Sequence, residues 1–241
     1  MTAIPKVMHD FAISACGGLA MNVNGDEVLM RCSGAAWLAG SRTLIVADLH
    51  FEKGSAYARR GQMLPPYDTR ETLNRLEAEV AATQPAVLVF LGDSFHDGQG
   101  EDRLHGDDGA RIAALAAGRT LAWVVGNHDA DGPKALPGET VDELVFGQLT
   151  LRHEPQEGSR PGELAGHLHP AAKVKGRGRT VRRRCFVTDG SRMVLPAFGS
   201  YAGGLNIKDK AFAGLFGVRP LAGALGTGRV HPIGWGSLAP D

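Results

Sequence analysis

The sequence predicts an α/β fold, and three observations carry that prediction. Apolar runs of strand length recur, each stopping abruptly at polar residues; two helical stripes fall between them; and beyond Asp131 proline and glycine cut the chain into short β pieces. A length of 241 residues, 43% hydrophobic and 22% charged, suits one domain over residues 1–241 better than two independent cores.

The elements follow in order. Phe11 to Ile13, Val28 to Met30 and Ala35 to Leu38 are short apolar pieces, and Asn24-Gly25 between such runs signals a hairpin, so an antiparallel ribbon is expected first. Thr43 to Ala47 is β-branched and does not alternate, the pattern of a strand buried on both faces. Residues 51–66 read as a link closed by two prolines. A helix is predicted from Asp68, with Asp68 and Glu71 as a capping box and Leu73, Leu76 and Val80 as its apolar stripe, ending at Gln84-Pro85. Ala86 to Leu91 is the next buried strand. The polar loop from Asp97 to Asp108 contains His105, which fits no ligand pattern. A second helix spans about Asp108 to Ala117, buries Ile112 and Leu115 and stops at Gly118. A third strand begins at Thr120. Strand and helix alternating in this way predict βαβ crossovers and a largely parallel first sheet. The rest is predicted to be mostly β. It includes a basic hairpin at residues 173–184 and a glycine-rich stretch, Leu195 to Asn206, that either approaches the site or simply turns.

Composition excludes several classes. The formal net charge is zero and the pI about 7.1, so a nucleic-acid partner would have to be attracted by a local patch. Three cysteines without a Cys-x-x-Cys pair read as reduced thiols of a cytoplasmic protein. The opening MTAIPKVMHDF has no signal-peptide core, and no apolar run has membrane length.

The chemistry sits where the apolar runs end. Asp48-x-His50 closes the first, Gly92-Asp93 with His96 the second, and Gly126-Asn127-His128-Asp129 the third. His153 follows a short strand, and Gly166-His167-x-His169 closes another. Six of the nine histidines therefore fall in five clusters at strand ends, where open α/β sheets bind ligands. Carboxylate, imidazole and amide donors without thiolate suit Mn2+ or Fe2+ better than a closed structural zinc site.

This ordered set resembles the calcineurin-like metallophosphoesterases, and in finer pattern the bacterial ligase-associated DNA damage response endonucleases. VADLHFEKGSAYARRG, LPPYDTRETL, LGDSFHD, GNHD, RHEP, GHLHP, RRRCF and LPAFGSYAGGLN carry the likeness over nearly the whole chain. The resemblance implies a four-layer αββα sandwich with two divalent ions at one edge, Mn2+ first, with Fe2+ or Zn2+ as other candidates. Asp48, His50, Asp93 and His169 would hold one ion and Asp93, Asn127, His153 and His167 the other, with Asp93 bridging. His128 matches the family's acid. His96 stands where the family's phosphoprotein phosphatases carry an acidic residue, so it implies the nuclease branch and a second, cationic donor. The implied partner is DNA, in repair with a DNA ligase, a helicase and an exonuclease. Lys173, Lys175, Arg177, Arg179, Arg182, Arg183 and Arg184, with Arg59 and Arg60, would then meet the phosphate backbone. Other readings stay open: the basic residues as a solvated face, the enzyme as a small-molecule phosphatase or cyclic-nucleotide phosphodiesterase, or a non-catalytic scaffold, which should have lost ligands.

Overall fold

The computed structural model describes residues 10–176 and 178–241; the first nine residues, with most of the segment judged to lack a leader, and Arg177 lie outside it. Eight strands form the first sheet, in sequence order: β1 (Phe11–Ile13), β2 (Leu19–Val23), β3 (Asp26–Met30), β4 (Ala36–Leu38), β5 (Thr43–Ala47), β6 (Val87–Leu91), β7 (Thr120–Val124) and β8 (Glu139–Val141). The ribbon β1 to β5 is antiparallel, and β5 to β8 are parallel. Asn24 (φ 50°) and Gly25 (φ 100°) make the turn between β2 and β3, the two left-handed positions a tight hairpin needs.

The unalternating strands have a simple cause. Leu44, Val46, Leu88, Phe90, Leu121 and Trp123 point to one side, against Leu73, Leu76, Val80, Ile112 and Leu115 of α2 (Asp68–Thr83) and α4 (Gly106–Ala116). Ile45, Ala47, Val89, Leu91, Ala122 and Val124 point to the other side and meet the second sheet. Period-2 geometry with both faces covered makes every position apolar. Between β5 and α2 lies α1 (Lys53–Arg59), and α3 (Gly100–Arg103) precedes α4.

The second sheet contains β9 (Glu143–Phe146), β10 (Leu149–Arg152), β11 (Glu163–Ala165), β12 (Pro170–Gly176), β13 (Arg179–Thr188), β14 (Met193–Val194), β15 (Leu205–Asn206), β16 (Leu221–Gly226) and β17 (Arg229–Gly234). Its order is β15-β12-β13-β14-β11-β10-β9, with β16 and β17 continuing from β13. The two-sheet sandwich implied above is therefore present. Its outer layer on the second sheet is a 3-10 turn, Lys210–Phe212, and the loop behind it, whose Phe212 and Leu215 cover Cys185, Val187 and Ala222.

One sequence expectation fails at the start of α2. Tyr67 is the N-cap and offers no side-chain bond, whereas the Asp68 carboxylate accepts the Gly54 N–H at 2.9 Å, so a tertiary donor replaces the capping box. His105, left without a role, begins α4 and accepts the Asp107 N–H.

Register brings the strand ends together. Ala47, Leu91 and Val124 align across β5, β6 and β7, and Arg152, Ala165 and Val194 align across β10, β11 and β14. A parallel bridge between Ala47 and Ala197 closes the two carboxyl edges on each other. The glycine-rich stretch does approach this edge, since Phe198 N–H donates to Ala47 O and Gly199 N–H to Asp48 O.

At the opposite end of β11, Arg192 and Glu163 form a buried ion pair, 2% and 3% exposed, and Arg192 also donates to the carbonyls of Gln156, Gly158 and Leu215. Arg152 Nε also lies 3.6 Å from Glu163 Oε1, but removing Arg192 takes away the buried carboxylate's main partner. Arg192→Leu is expected to cost about 3–5 kcal/mol and lower the thermal midpoint by roughly 10 °C. Calorimetry should show the Glu163→Leu, Arg192→Leu double variant recovering much of that loss; a double variant no better than the single would remove the stranded charge as the cause.

Candidate metal centre

Each ligand type arrives on a tight turn just past a strand. Asp48 (φ 52°), His50 (φ 46°), Asp93 (φ 44°), His167 (φ 66°) and His169 (φ 45°) all have left-handed backbones, a conformation that non-glycine residues hold only where the surroundings enforce it. Glycines make the room. A Cβ on Gly92 would lie 2.0 Å from the His153 ring, and one on Gly126 would lie 2.2 Å from Asp93 N.

Two groups of side chains converge, each with its ligand atoms within 4.8 Å of one another: Asp48, His50 and His169, and Asp93, His153 and His167. In the first, His50 Nε2 faces His169 Nε2 at 3.2 Å, and His169 Nε2 lies 3.4 Å from Asp48 Oδ1. In the second, Asn127 Oδ1 is 3.0 Å from His153 Nε2 and 2.9 Å from His167 Nδ1. Asp93 lies between the groups. Its Oδ2 is 4.0 Å from His50 Nε2, and its Oδ1 is 3.4 Å from His153 Nε2. All seven residues expected as ligands thus meet in one bowl.

The donor chemistry fits divalent ions. His153 Nδ1 faces the Leu91 carbonyl at 3.4 Å and Nε2 faces Asp93 Oδ1 and Asn127 Oδ1, so a bound ion would take the place of the Nε2 proton. Burial first, and then His169, push His50 down to about 3, so its imidazole is neutral and free to coordinate. Burial works against the Asp93 carboxylate, but the His153 hydrogen bond and charge outweigh it and hold the group down at about 2. His50 Nδ1 is buried without a hydrogen-bond partner. Facing nitrogens and carboxylates at these separations need a cation among them.

His128 lies beside this bowl. Its Nδ1 donates to the His96 carbonyl at 2.8 Å, which leaves Nε2 directed inward, 3.9 Å from Asp93 Oδ2. The His96 ring stacks on it, with centroids 5.3 Å apart and planes 21° apart. One expectation needs correction here. Burial, then Lys53, push His96 down to about 4, so it is a neutral ring rather than a cationic donor.

The basic residues divide. Arg184 donates to Ala197 O and Gly199 O, and Arg182 pairs with Asp241 and donates to Gly204 O. Lys173 also faces Asp241, at 3.5 Å. Lys175, Arg179 and Arg183 are exposed on the β12–β13 hairpin, which leads away from His169. Arg59 donates to Gln99, and Arg60 is exposed near His96.

Three residues given no role in the sequence also bear on the site. The buried Asp129 accepts from Ser94 N (2.8 Å), Phe95 N (3.1 Å) and Gly126 N (3.1 Å), joining the Asp93 and Asn127 turns. Its place in Gly-Asn-His-Asp was the available signal. Lys53 and Tyr57 lie on α1, beside His96. Their spacing of four was legible, but seven residues are too few for a helical period to show.

A two-sheet α/β sandwich with paired, thiolate-free ligand groups at its carboxyl edge defines a metal-dependent hydrolase. The chain belongs to the calcineurin-like phosphoesterase family, which it matches over residues 41–184, more than half of its length. No curated protein matches it. Among solved structures it is similar to the Pseudomonas putida nuclease MPE, at 29% identity and TM-score 0.69 over 90% of this chain and 100% of that one. A second, Yfce, a phosphoesterase from E. coli, covers 80% of this chain and 98% of its own at 13% identity, but a TM-score of 0.37 is too loose an overlap to bear on the fold. Family and geometry together indicate a dinuclear metal site. No helix among the described residues is long and apolar enough to cross a membrane.

Asp129→Ala would leave three N–H groups in this wall without their acceptor. It is expected to destabilise the fold by about 3 kcal/mol and to weaken metal binding, whereas the isosteric Asp129→Asn, which keeps one acceptor oxygen, should lose less. Urea unfolding with metal titration checks the order; equal losses in the two variants would show that the hydrogen bonds are not what matters.

Proposed function

We propose that this metal-dependent phosphoesterase is a DNA phosphodiesterase of endonuclease type. The observation that supports the reading is the stacked His96–His128 pair beside Asp93, two imidazoles that would serve a large leaving group departing on that side. Similarity to a solved structure described as a nuclease supports it. Asp48, His50, Asp93 and His169 would hold one ion and Asp93, Asn127, His153 and His167 the other, and the all-oxygen-and-nitrogen donor set favours Mn2+. When bound, such ions polarise phosphoryl oxygens and acidify water.

The remaining steps belong to the protein. His128 already donates from Nδ1 to the His96 carbonyl, so it can act as an acid only as imidazolium, giving the Nε2 proton to the departing deoxyribose oxygen. His96, neutral and stacked on it, fixes the plane of that ring. A place in repair beside a DNA ligase, a helicase and an exonuclease, in the cytoplasm, is proposed from the motif resemblance.

Asp93→Ala is expected to abolish turnover and lose both ions together; elemental analysis finding one ion retained at normal affinity would contradict a shared carboxylate. His128→Ala should cost DNA cleavage about 10²- to 10⁴-fold and hydrolysis of bis(p-nitrophenyl) phosphate far less, because nitrophenolate leaves without a proton. His96→Ala should follow the same pattern more weakly. Equal losses on both substrates at full metal content would rule out the leaving-group role.

The hairpin gives a separate test. Neutralising Lys175, Arg179 and Arg183, which have no carboxylate partner among the described residues, should reduce the salt slope of DNA binding by about two to three. An unchanged slope would make the hairpin a solubility device.

A further inference from the structure

The outward face of α1 is the least explained surface near the metal centre. Gly54 and Ala56 turn inward, and Asp68 receives the Gly54 N–H, so the helix is fixed against α2. Lys53, Tyr57 and Arg60 follow at spacings of four and three and share the other side. The Tyr57 ring lies 5.6 Å from the His96 ring, tilted by 40°, and its hydroxyl has no hydrogen-bond partner among the described residues. Because His96 stacks on His128 at 5.3 Å, a row of three rings leads outward from the acid. The Lys53 ammonium sits 5.9 Å over the Tyr57 ring and forms no ion pair among the described residues, although the Asp68 carboxylate of α2 acts on it electrostatically. The ammonium is partly buried, and Tyr57, which it covers, adjoins His96, so it lies on the same side of the metal centre as His96. Arg60 acts on His96 from the exposed end of the helix.

The Lys53 ammonium, partly buried and in no ion pair, keeps donors free, and the ligand that would engage them is an anion. Cations alone would suit any polyanion. The ring between them adds a requirement, because a π-face is useful to a base only when that base is unstacked from its own neighbours. In a duplex both faces of each base are already covered, so the occupant must be unpaired or splayed out.

We propose that Lys53, Tyr57 and Arg60 form a subsite for the unpaired nucleotide next to the scissile phosphate on the leaving-group side. Tyr57 stacks on its base, and the two cations hold the flanking phosphates. The subsite rests on the nuclease reading and names its substrate class as single-stranded DNA.

The test uses the Mn2+-loaded full chain. Its substrates are a thymidine single strand, the same strand with one abasic residue scanned across the mapped cut, and bis(p-nitrophenyl) phosphate, which has neither a nucleobase nor flanking phosphates. For the wild type, kcat/KM should fall when the abasic residue occupies one particular offset from the cut. Tyr57→Ala should lose about 5- to 100-fold on the intact strand, a several-fold smaller factor on the nitrophenyl ester, and nothing further from the abasic residue. Tyr57→Phe should retain most DNA activity, and Lys53→Gln should flatten the salt slope by about one. Equal losses by Tyr57→Ala on DNA and ester, or an abasic penalty as large in that variant as in the wild type, would overturn the subsite and leave the nuclease reading standing. A wild type that hydrolyses the ester but cuts no DNA would overturn both.

Discussion

Two aspartates at the ends of neighbouring parallel strands, Asp48 and Asp93, are held almost entirely out of water, and the rest of the structure answers to them. Buried carboxylates need compensation, and among the described residues no lysine or arginine forms an ion pair with either. The chain instead offers main-chain donors, His167 N–H to Asp48 and His128 N–H to Asp93, and surrounds the pair with imidazoles. Main-chain donors can reach the carboxylates only if the chain reverses tightly, and this accounts for the left-handed turns and for glycines where a Cβ would strike a ligand. The arrangement remains short of positive charge, which a pair of divalent ions would supply.

Convergence on these carboxylates depends on register more than on any single contact. Shifting β6 by one residue against β5 would exchange its inter-sheet residues Val89 and Leu91 with its helix-facing Leu88 and Phe90, so the hydrophobic core itself holds Asp93 level with Asp48. The second sheet is locked to the same edge through the stretch after β14. Arg184 binds the carbonyls of Ala197 and Gly199, and Arg75 donates to Phe198 O and lies over the Phe198 ring at 4.9 Å. Arginines this far from the phosphate chemistry therefore still position Asp48.

Much of this was legible in the sequence, for identifiable reasons. Strands buried on both faces show as unbroken apolar runs, so β5, β6 and β7 and the residues ending them could be read directly. The parts that could not be read depend on partners distant in sequence. Asp68 carries the signature of a cap, yet Gly54 takes its carboxylate. Arg182 and Arg184 look like DNA contacts within RRRCF, yet one meets Asp241 and the other two backbone carbonyls. His96 looks like a cation until its burial and Lys53 are visible. Composition records which charges exist and not which of them are already engaged.

That distinction bears on how a neutral chain would hold DNA. With a formal net charge of zero there is no long-range field to gather a polyanion, and ion pairing removes part of the basic hairpin from service. Each remaining phosphate contact adds a salt-sensitive increment. A few such contacts give weak binding, so the metal centre itself and the cations nearest to it must provide most of the grip. Selectivity then has to arise within a nucleotide or two of the scissile bond, where geometry is rigid. Were DNA the substrate, a site built in this way would discriminate by whether a strand can bend into the bowl between the two sheet edges, which a flexible single strand does more readily than a stacked duplex.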